Sequence, residues 1–223
     1  MLSTLAPTIA TKRIVLASGS PRRKEIMEKM GIKFDVKVSN FAEDLDKKQY
    51  VHIPQGYATD NAMHKASAVL NSEKDDGAWK STIYIGCDTV VTIDDKIIEK
   101  PKDDADAVRI LEMLSGREHQ VISGLAVFWP LLQADGSIKS NRHTGHETTK
   151  VKFAQLSRQT IEAYVATGEP RDKAGAYGIQ GFGGVLIEKI NGDFYNVMGL
   201  PLHKLFDALL TLDKELAREK VTK

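Results

Sequence analysis

Residues 14–31 read IVLASGSPRRKEIMEKMG, and this order of residue types decides the fold. Ile14 to Ala17 are apolar or small, as a short buried strand requires. Ser18, Gly19 and Ser20 make a tight turn. Ser20 can cap a helix, and Pro21 falls where the first helical residue would be. Ile26, Met27 and Met30 then share one helical face, and Gly31 can end the helix. Strand, turn and helix in that order leave free backbone N–H groups at the turn, next to the positive end of a helix dipole. Such a place favours an anion. Arg22, Arg23 and Lys24 put three cations in the same first turn, where they oppose the dipole. Helix stability does not account for them; an anionic ligand, most simply a phosphate chain, does.

Outward from this unit, residues 34–38 alternate apolar and polar, as in a half-buried strand. Residues 39–56 are a polar, acidic loop with room for one helical turn. Residues 57–70 carry small and apolar residues at helical spacing, and 71–81 read as a charged loop. The strongest strand signal is 83–93, interrupted by one carboxylate, Asp88. Asp94-Asp95 makes a hairpin turn into a returning strand at 96–99. Asp103 caps an amphipathic helix closed by Gly116. Residues 121–129 and 148–153 are predicted as partner strands, with 130–146 as a polar excursion. Ser157 caps a short helix that Gly168 ends. A glycine-rich stretch at 169–184, a strand at 185–190, a special loop at 196–201 and a final helix at 202–216 complete the chain. This mixture predicts an α/β fold with a mixed sheet, not an all-parallel one.

The chain has 223 residues, 42% of them hydrophobic, enough for one sizeable core or two small lobes around a cleft. Its formal charge of +1 gives no global attraction to nucleic acid or to an anionic membrane. The single cysteine, Cys87, excludes a disulfide framework, fits a reduced, cytoplasmic setting and reads as a core thiol. Residues 1–12 contain no long apolar run. We expect no signal peptide there; residues 1–12 read as a disordered extension, with a weak targeting segment as the alternative, followed by one catalytic domain over 13–216 and a fraying tail at 217–223. No window is apolar enough for a membrane span.

Asp88 is the first chemical candidate, because a charge inside an apolar strand needs a partner. It is either a structural carboxylate that caps or pairs, or one that holds a divalent metal or activates water. Taken alone, Lys100 before Pro101 reads as a solvated strand-end lysine, Glu43 as a solvated loop acid and Lys65 as a surface residue of its helix. Three glycines in residues 171–181 allow close backbone approach to a ligand. Gln180 offers a donor and an acceptor, enough to read the edge of a uracil or thymine ring. The turn lacks Walker spacing, and no GxGxxG follows the first strand.

Five segments in order, ASGSPRRKEI, GCDTVV, IIEKP, LSGREHQVISG and DKAGAYGIQG, resemble the Maf family of nucleotide pyrophosphatases, also called septum-formation-inhibitor-like proteins. The resemblance covers nearly the whole chain. It implies an α/β, Maf/ITPase-like fold with an extended mixed sheet and two lobes flanking an active-site cleft. It also implies hydrolysis of a nucleoside triphosphate to monophosphate and pyrophosphate with a divalent metal, Mg²⁺ or Mn²⁺. Carried over residue by residue, Ser18, Arg22, Arg23 and Lys24 match the phosphate-binding turn. Asp88, Glu43, Lys65 and Lys100 match the catalytic set, with Asp88 and Glu43 as the metal carboxylates. Glu43 sits in SNFAEDLD, which departs from the usual acidic pair of the family. Arg22, Thr89 and Gln180 resemble the trio of the branch that acts on dTTP and UTP. The resemblance also implies a homodimer. Two other classes compete: a nucleotide-sensing regulator of cell division that does not hydrolyse, and a nucleic-acid module built on Arg22–Lys24. A buried carboxylate with a full lysine set argues against the first, and the charge balance against the second.

Overall fold

The computed structural model describes residues 2–75, 77–132 and 137–221. In chain order the elements are α1 (Leu2–Leu5), β1 (Arg13–Leu16), α2 (Pro21–Lys29), β2 (Asp35–Val36), α3 (Pro54–Asn71), β3 (Thr82–Ile93) and β4 (Lys96–Ile98). There follow α4 (Asp104–Leu114), β5 (Glu118–Leu132), β6 (Ile138–Phe153), α5 (Arg158–Ala166), β7 (Ile187–Asn191), α6 (Phe194–Met198) and α7 (Leu202–Val221). The strands form one mixed sheet in the order β2-β1-β3-β5-β6-β7, with β4 paired to the far end of β3. β1 lies parallel to β2 and β3, and the other pairings are antiparallel.

The expected opening unit forms as read. Ser20 accepts from the Arg23 amide, Pro21 starts α2, and Gly31 follows the helix at φ 66°. Asp94 and Asp95 both take positive φ, as a tight hairpin turn demands, and Asp103 and Ser157 cap their helices.

The period of two along β3 sets the layout. Ile83, Ile85 and Cys87 face α2 and α7 in one apolar cluster, while Tyr84 packs with α3 on the other face. Farther along, Val91 and Ile93 join a separate cluster with α4, α5 and the glycine-rich loop. The chain therefore has two lobes, and β3 runs through both. Asp88 and Thr89 lie where one lobe gives way to the other.

Helix α3 comes close to the sheet because two glycines lie beneath it. A methyl on Gly86 would lie 2.1 Å from the Ala62 carbonyl oxygen, and one on Gly124 2.2 Å from that of Ala58. Gly124→Ala must push the helix backbone away, and we expect it to cost about 2 kcal/mol. A lowered urea midpoint measures this; an unchanged midpoint would show that the helix can move freely.

Several expectations need correction. Residues 130–146 are no excursion: β5 and β6 continue as one long hairpin, pairing Leu132 with Ile138 at its tip. Residues 133–136 lie outside the described residues. The outer part of β6 is largely exposed, so it lacks the apolar alternation that marks a half-buried strand. The predicted strand at 34–38 shrinks to two exposed residues, Asp35 and Val36, on the sheet edge. The special loop at 196–201 begins inside a short helix, α6, and turns at Gly199 with φ 116°. α7 continues to Val221, through most of the expected tail; 222–223 lie outside the described residues. Where a disordered extension was expected at 1–12, Ala6 and Ile9 are buried, and the Ile9 amide donates to Asp213 Oδ1 of α7 at 2.8 Å. The charged segment at 71–81 contains Glu73, only 4% exposed.

Candidate active site

A cleft of about 810 Å³ opens between the lobes. The turn after β1, the start of α2, Glu43, Lys65, Asp88, Thr89, Lys100 and the loop through Gln180 all line it.

Asp88 follows Tyr84 and Gly86 on the α3 face of β3, so it meets Lys65. Lys65 Nζ donates to Asp88 Oδ1 at 2.7 Å and to Glu43 Oε2 at 2.7 Å. Lys65 and Asp88 are each 8% exposed. The surface reading of Lys65 is thus overturned: the close seat of α3 on Gly86 and Gly124 buries its stem, and two carboxylates compensate its charge. Glu43 reaches in from the loop with φ 54°, a left-handed conformation that costs a glutamate about 1 kcal/mol. Such local strain at a cleft is characteristic of a functional position.

Thr89 points to the opposite face, toward α2. Arg23 spreads its guanidinium over three acceptors there: Gly199 O at 2.8 Å, Ser18 Oγ at 3.0 Å and Thr89 Oγ1 at 3.2 Å. Thr89 Oγ1 also lies 2.8 Å from Ser123 Oγ. Arg23 therefore ties the phosphate-type turn to β3 and to the Gly199 turn. Arg22 reaches across the cleft mouth to Asp172, at 3.1 Å to the carboxylate and 3.3 Å to the backbone oxygen. Lys100 lies exposed on the cleft wall.

Lys24 does not join them. It is exposed, its Nζ lies 3.8 Å from Glu28, and it lines a second hollow beside β2. Helical geometry explains this: successive side chains diverge by about 100°, so three consecutive cations cannot all face one ligand.

The structure adds residues that sequence reasoning did not single out. Glu169 accepts from Tyr164 Oη at 2.9 Å and from the amides of Phe182 and Gly183 at 2.8 and 3.1 Å, which pins the glycine-rich loop. Tyr177 of that loop lies 2.8 Å from His119 Nε2. His119 is 2% exposed, and burial lowers its pKa to about 4, so the contact is between neutral groups near pH 7. Asp172 and Gly199 were also missed as individuals. The only sequence signal was that both fall in stretches already marked as unusual.

Asp88 and Glu43 each lay an oxygen on one ammonium group, so two hard donors already converge on a cation. That donor set suits Mg²⁺ or Mn²⁺, which take one or two protein carboxylates and complete their shell with phosphate oxygens and water. Among the described residues no group of three or more His, Cys, Asp or Glu is placed to hold a metal ion. An ion here would complete its shell with water or substrate oxygens. No helix among the described residues is long and apolar enough to cross a membrane.

Comparison with known proteins places the chain in a family. A human protein described as a probable bifunctional dTTP/UTP pyrophosphatase/methyltransferase is 45% identical over 201 residues, 90% of this chain but 32% of that protein. The dTTP/UTP pyrophosphatase of Clostridium botulinum (strain 657 / Type Ba4) is 44% identical over 92% of this chain and 100% of its own length. A solved HAM1 protein from Coxiella burnetii aligns at TM-score 0.42 and 17% identity over 93% of this chain and 100% of that one, too loosely to bear on the site. The model of the Maf-like protein family matches residues 13–212, and with those relatives it establishes that this chain belongs to the Maf family.

Proposed function

We propose that this protein hydrolyses dTTP and UTP to the nucleoside monophosphate and pyrophosphate. The observation that carries the reading is the Glu43–Lys65–Asp88 cluster, set in a cleft whose other wall is the cation-bearing turn before α2. The human and clostridial relatives carry that activity in their names and cover nearly all of this chain.

In this mechanism Arg22, Arg23 and the open N-terminus of α2 bind the triphosphate. Ser18 and Thr89 hold the Arg23 fork in place. Asp88 orients a water molecule toward the α-phosphorus and takes its proton as the new O–P bond forms. The bond from the α-phosphorus to the bridging oxygen breaks, and pyrophosphate leaves with its electron pair. Lys65 and Lys100 offset the charge that gathers on the leaving group. A divalent ion held by Asp88 and Glu43 would supply further neutralisation of the phosphates. Gln180 reads the base edge, and Arg22 and Thr89 contribute to base preference, a role supported by the family resemblance. The cytoplasmic setting belongs to the same proposal, supported by the single, buried cysteine. So does a homodimer, supported by the family resemblance alone.

The test is pyrophosphate release over a panel of nucleoside triphosphates, with and without Mg²⁺, beside light scattering for mass. Turnover of dTTP and UTP to the monophosphate supports the proposal. Tight nucleotide binding without release would replace it with a sensor, and salt-sensitive oligonucleotide binding with a nucleic-acid module.

A further inference from the structure

Glu25 stands one turn into α2, exposed, and does not line the cleft. Gln180 does line it, from the opposite lobe. The two meet at the rim: Gln180 Nε2 donates to Glu25 Oε1 at 3.3 Å and lies 3.4 Å from Oε2. This contact has a chemical consequence. A glutamine amide has one donor end and one acceptor end, and turning it over exchanges them. An ionised carboxylate can only accept, so it selects the amide nitrogen as its neighbour and leaves the oxygen for whatever lies on the other side.

We propose that Glu25 is a positioning residue for base selection: it holds the Gln180 amide with Nε2 toward the rim and Oε1 toward the cleft, an inference that rests on Gln180 reading the base. An acceptor turned into the cleft pairs with the N3–H of uracil or thymine. At the same register cytosine presents a lone pair at N3, and two acceptors repel. Glu25 thus converts an ambivalent side chain into a one-way reader and contributes to discrimination without touching the nucleotide. Two features keep it in the accepting form. Lys29, 3.1 Å from the same carboxylate, holds its pKa below the ordinary glutamate range, with Gln180 adding to the effect. Meanwhile Glu169 and His119 hold the glycine-rich loop in place, so the amide has a fixed base from which to be oriented.

Steady-state constants for UTP and CTP should be compared in the wild type, Glu25→Gln, Gln180→Ala and the double variant. Glu25→Gln keeps the shape but can meet the amide with either end. An exposed helical glutamate tolerates this change, and melting temperatures verify folding. The expected result is a fall of about tenfold in the UTP:CTP ratio of kcat/KM for Glu25→Gln, carried mainly by KM. The same substitution should leave the ratio unaltered once Gln180 is alanine, because the residue acts through that amide. If Glu25→Gln keeps the wild-type ratio while Gln180→Ala lowers it, the positioning role is wrong and the base-reading role survives. If Gln180→Ala leaves the ratio intact, the base-reading role fails and takes the positioning role with it. Equal losses on both nucleotides, independent of Gln180, would reduce Glu25 to a structural partner of Lys29.

Discussion

Asp88→Asn will lower kcat for pyrophosphate release from UTP by about 10³-fold while leaving the fold in place. The substitution keeps the shape of the side chain and an oxygen that can accept from Lys65 Nζ, which now lies 2.7 Å from Asp88 Oδ1. Lys65 also keeps its second carboxylate, Glu43, at 2.7 Å. The buried ammonium is therefore never left without a counter-charge, the condition under which breaking a buried pair becomes most costly. What the variant loses is a proton acceptor and one negative charge at the junction of the lobes. KM should move far less than kcat, because Arg22 and Arg23, the proposed phosphate ligands, line the other wall. Steady-state kinetics beside a melting curve separate the two effects. A variant that still turns over within tenfold of the wild type would remove Asp88 from the chemistry.

Glu73→Gln will act on stability instead, and its effect will depend on pH. Glu73 ties four segments together: Arg13 Nη1 donates to it at 2.7 Å and Tyr84 Oη at 2.6 Å, and Lys37 Nζ lies at 3.3 Å. Burial alone pushes its carboxyl up, but the hydrogen bonds from Arg13, Tyr84 and Lys37 outweigh that and bring it from 4.5 down to about 2. A folded-state pKa depressed in this way contributes stability that is present above the unfolded value. It is lost as the pH falls through the folded one. The contribution near neutrality is about 3 kcal/mol. Urea unfolding at pH 7 should show the variant weaker by a comparable amount. The difference should shrink as the pH drops from about 4.5 toward 2. A gap between the two proteins that stays constant over that window would mean that Glu73 contributes by packing and not by its charge.

Much of this was legible in the chain, and the reasons differ by residue. Asp88 announced itself because a charge broke an apolar run and so needed a partner; that the partner comes from α3 is visible only in the structure. The turn before α2 was legible because its cations contradict the helix dipole. Lys65 was not legible from its surroundings. A lysine among small helical residues looks like surface, and only the distant Gly86 and Gly124, which let α3 descend onto the sheet, bury it. Lys24 adjoins Arg22 and Arg23 in sequence, but its side chain leaves the helix in another direction and does not line the cleft. Glu43 came from the family resemblance, since nothing local separates a loop acid at a cleft from one in solvent. The β5–β6 hairpin was cut short because its outer part leaves the core, and polarity on both faces erases the alternation that marks a strand. Glu73 was hidden in a charged run whose neighbours are solvated.

The seat of α3 on two glycines also divides the protein by how freely it can be altered. Helix and strand backbones meet directly there, with no intervening side chains that could repack, so Lys65 and Asp88 travel as one rigid pair. The glycine-rich loop is joined to α2 by side-chain bridges at the rim, Arg22 to Asp172 and Gln180 to Glu25. If Gln180 reads the base as proposed, retargeting to another nucleobase begins at the rim, where side chains can be exchanged one at a time without moving Lys65 and Asp88.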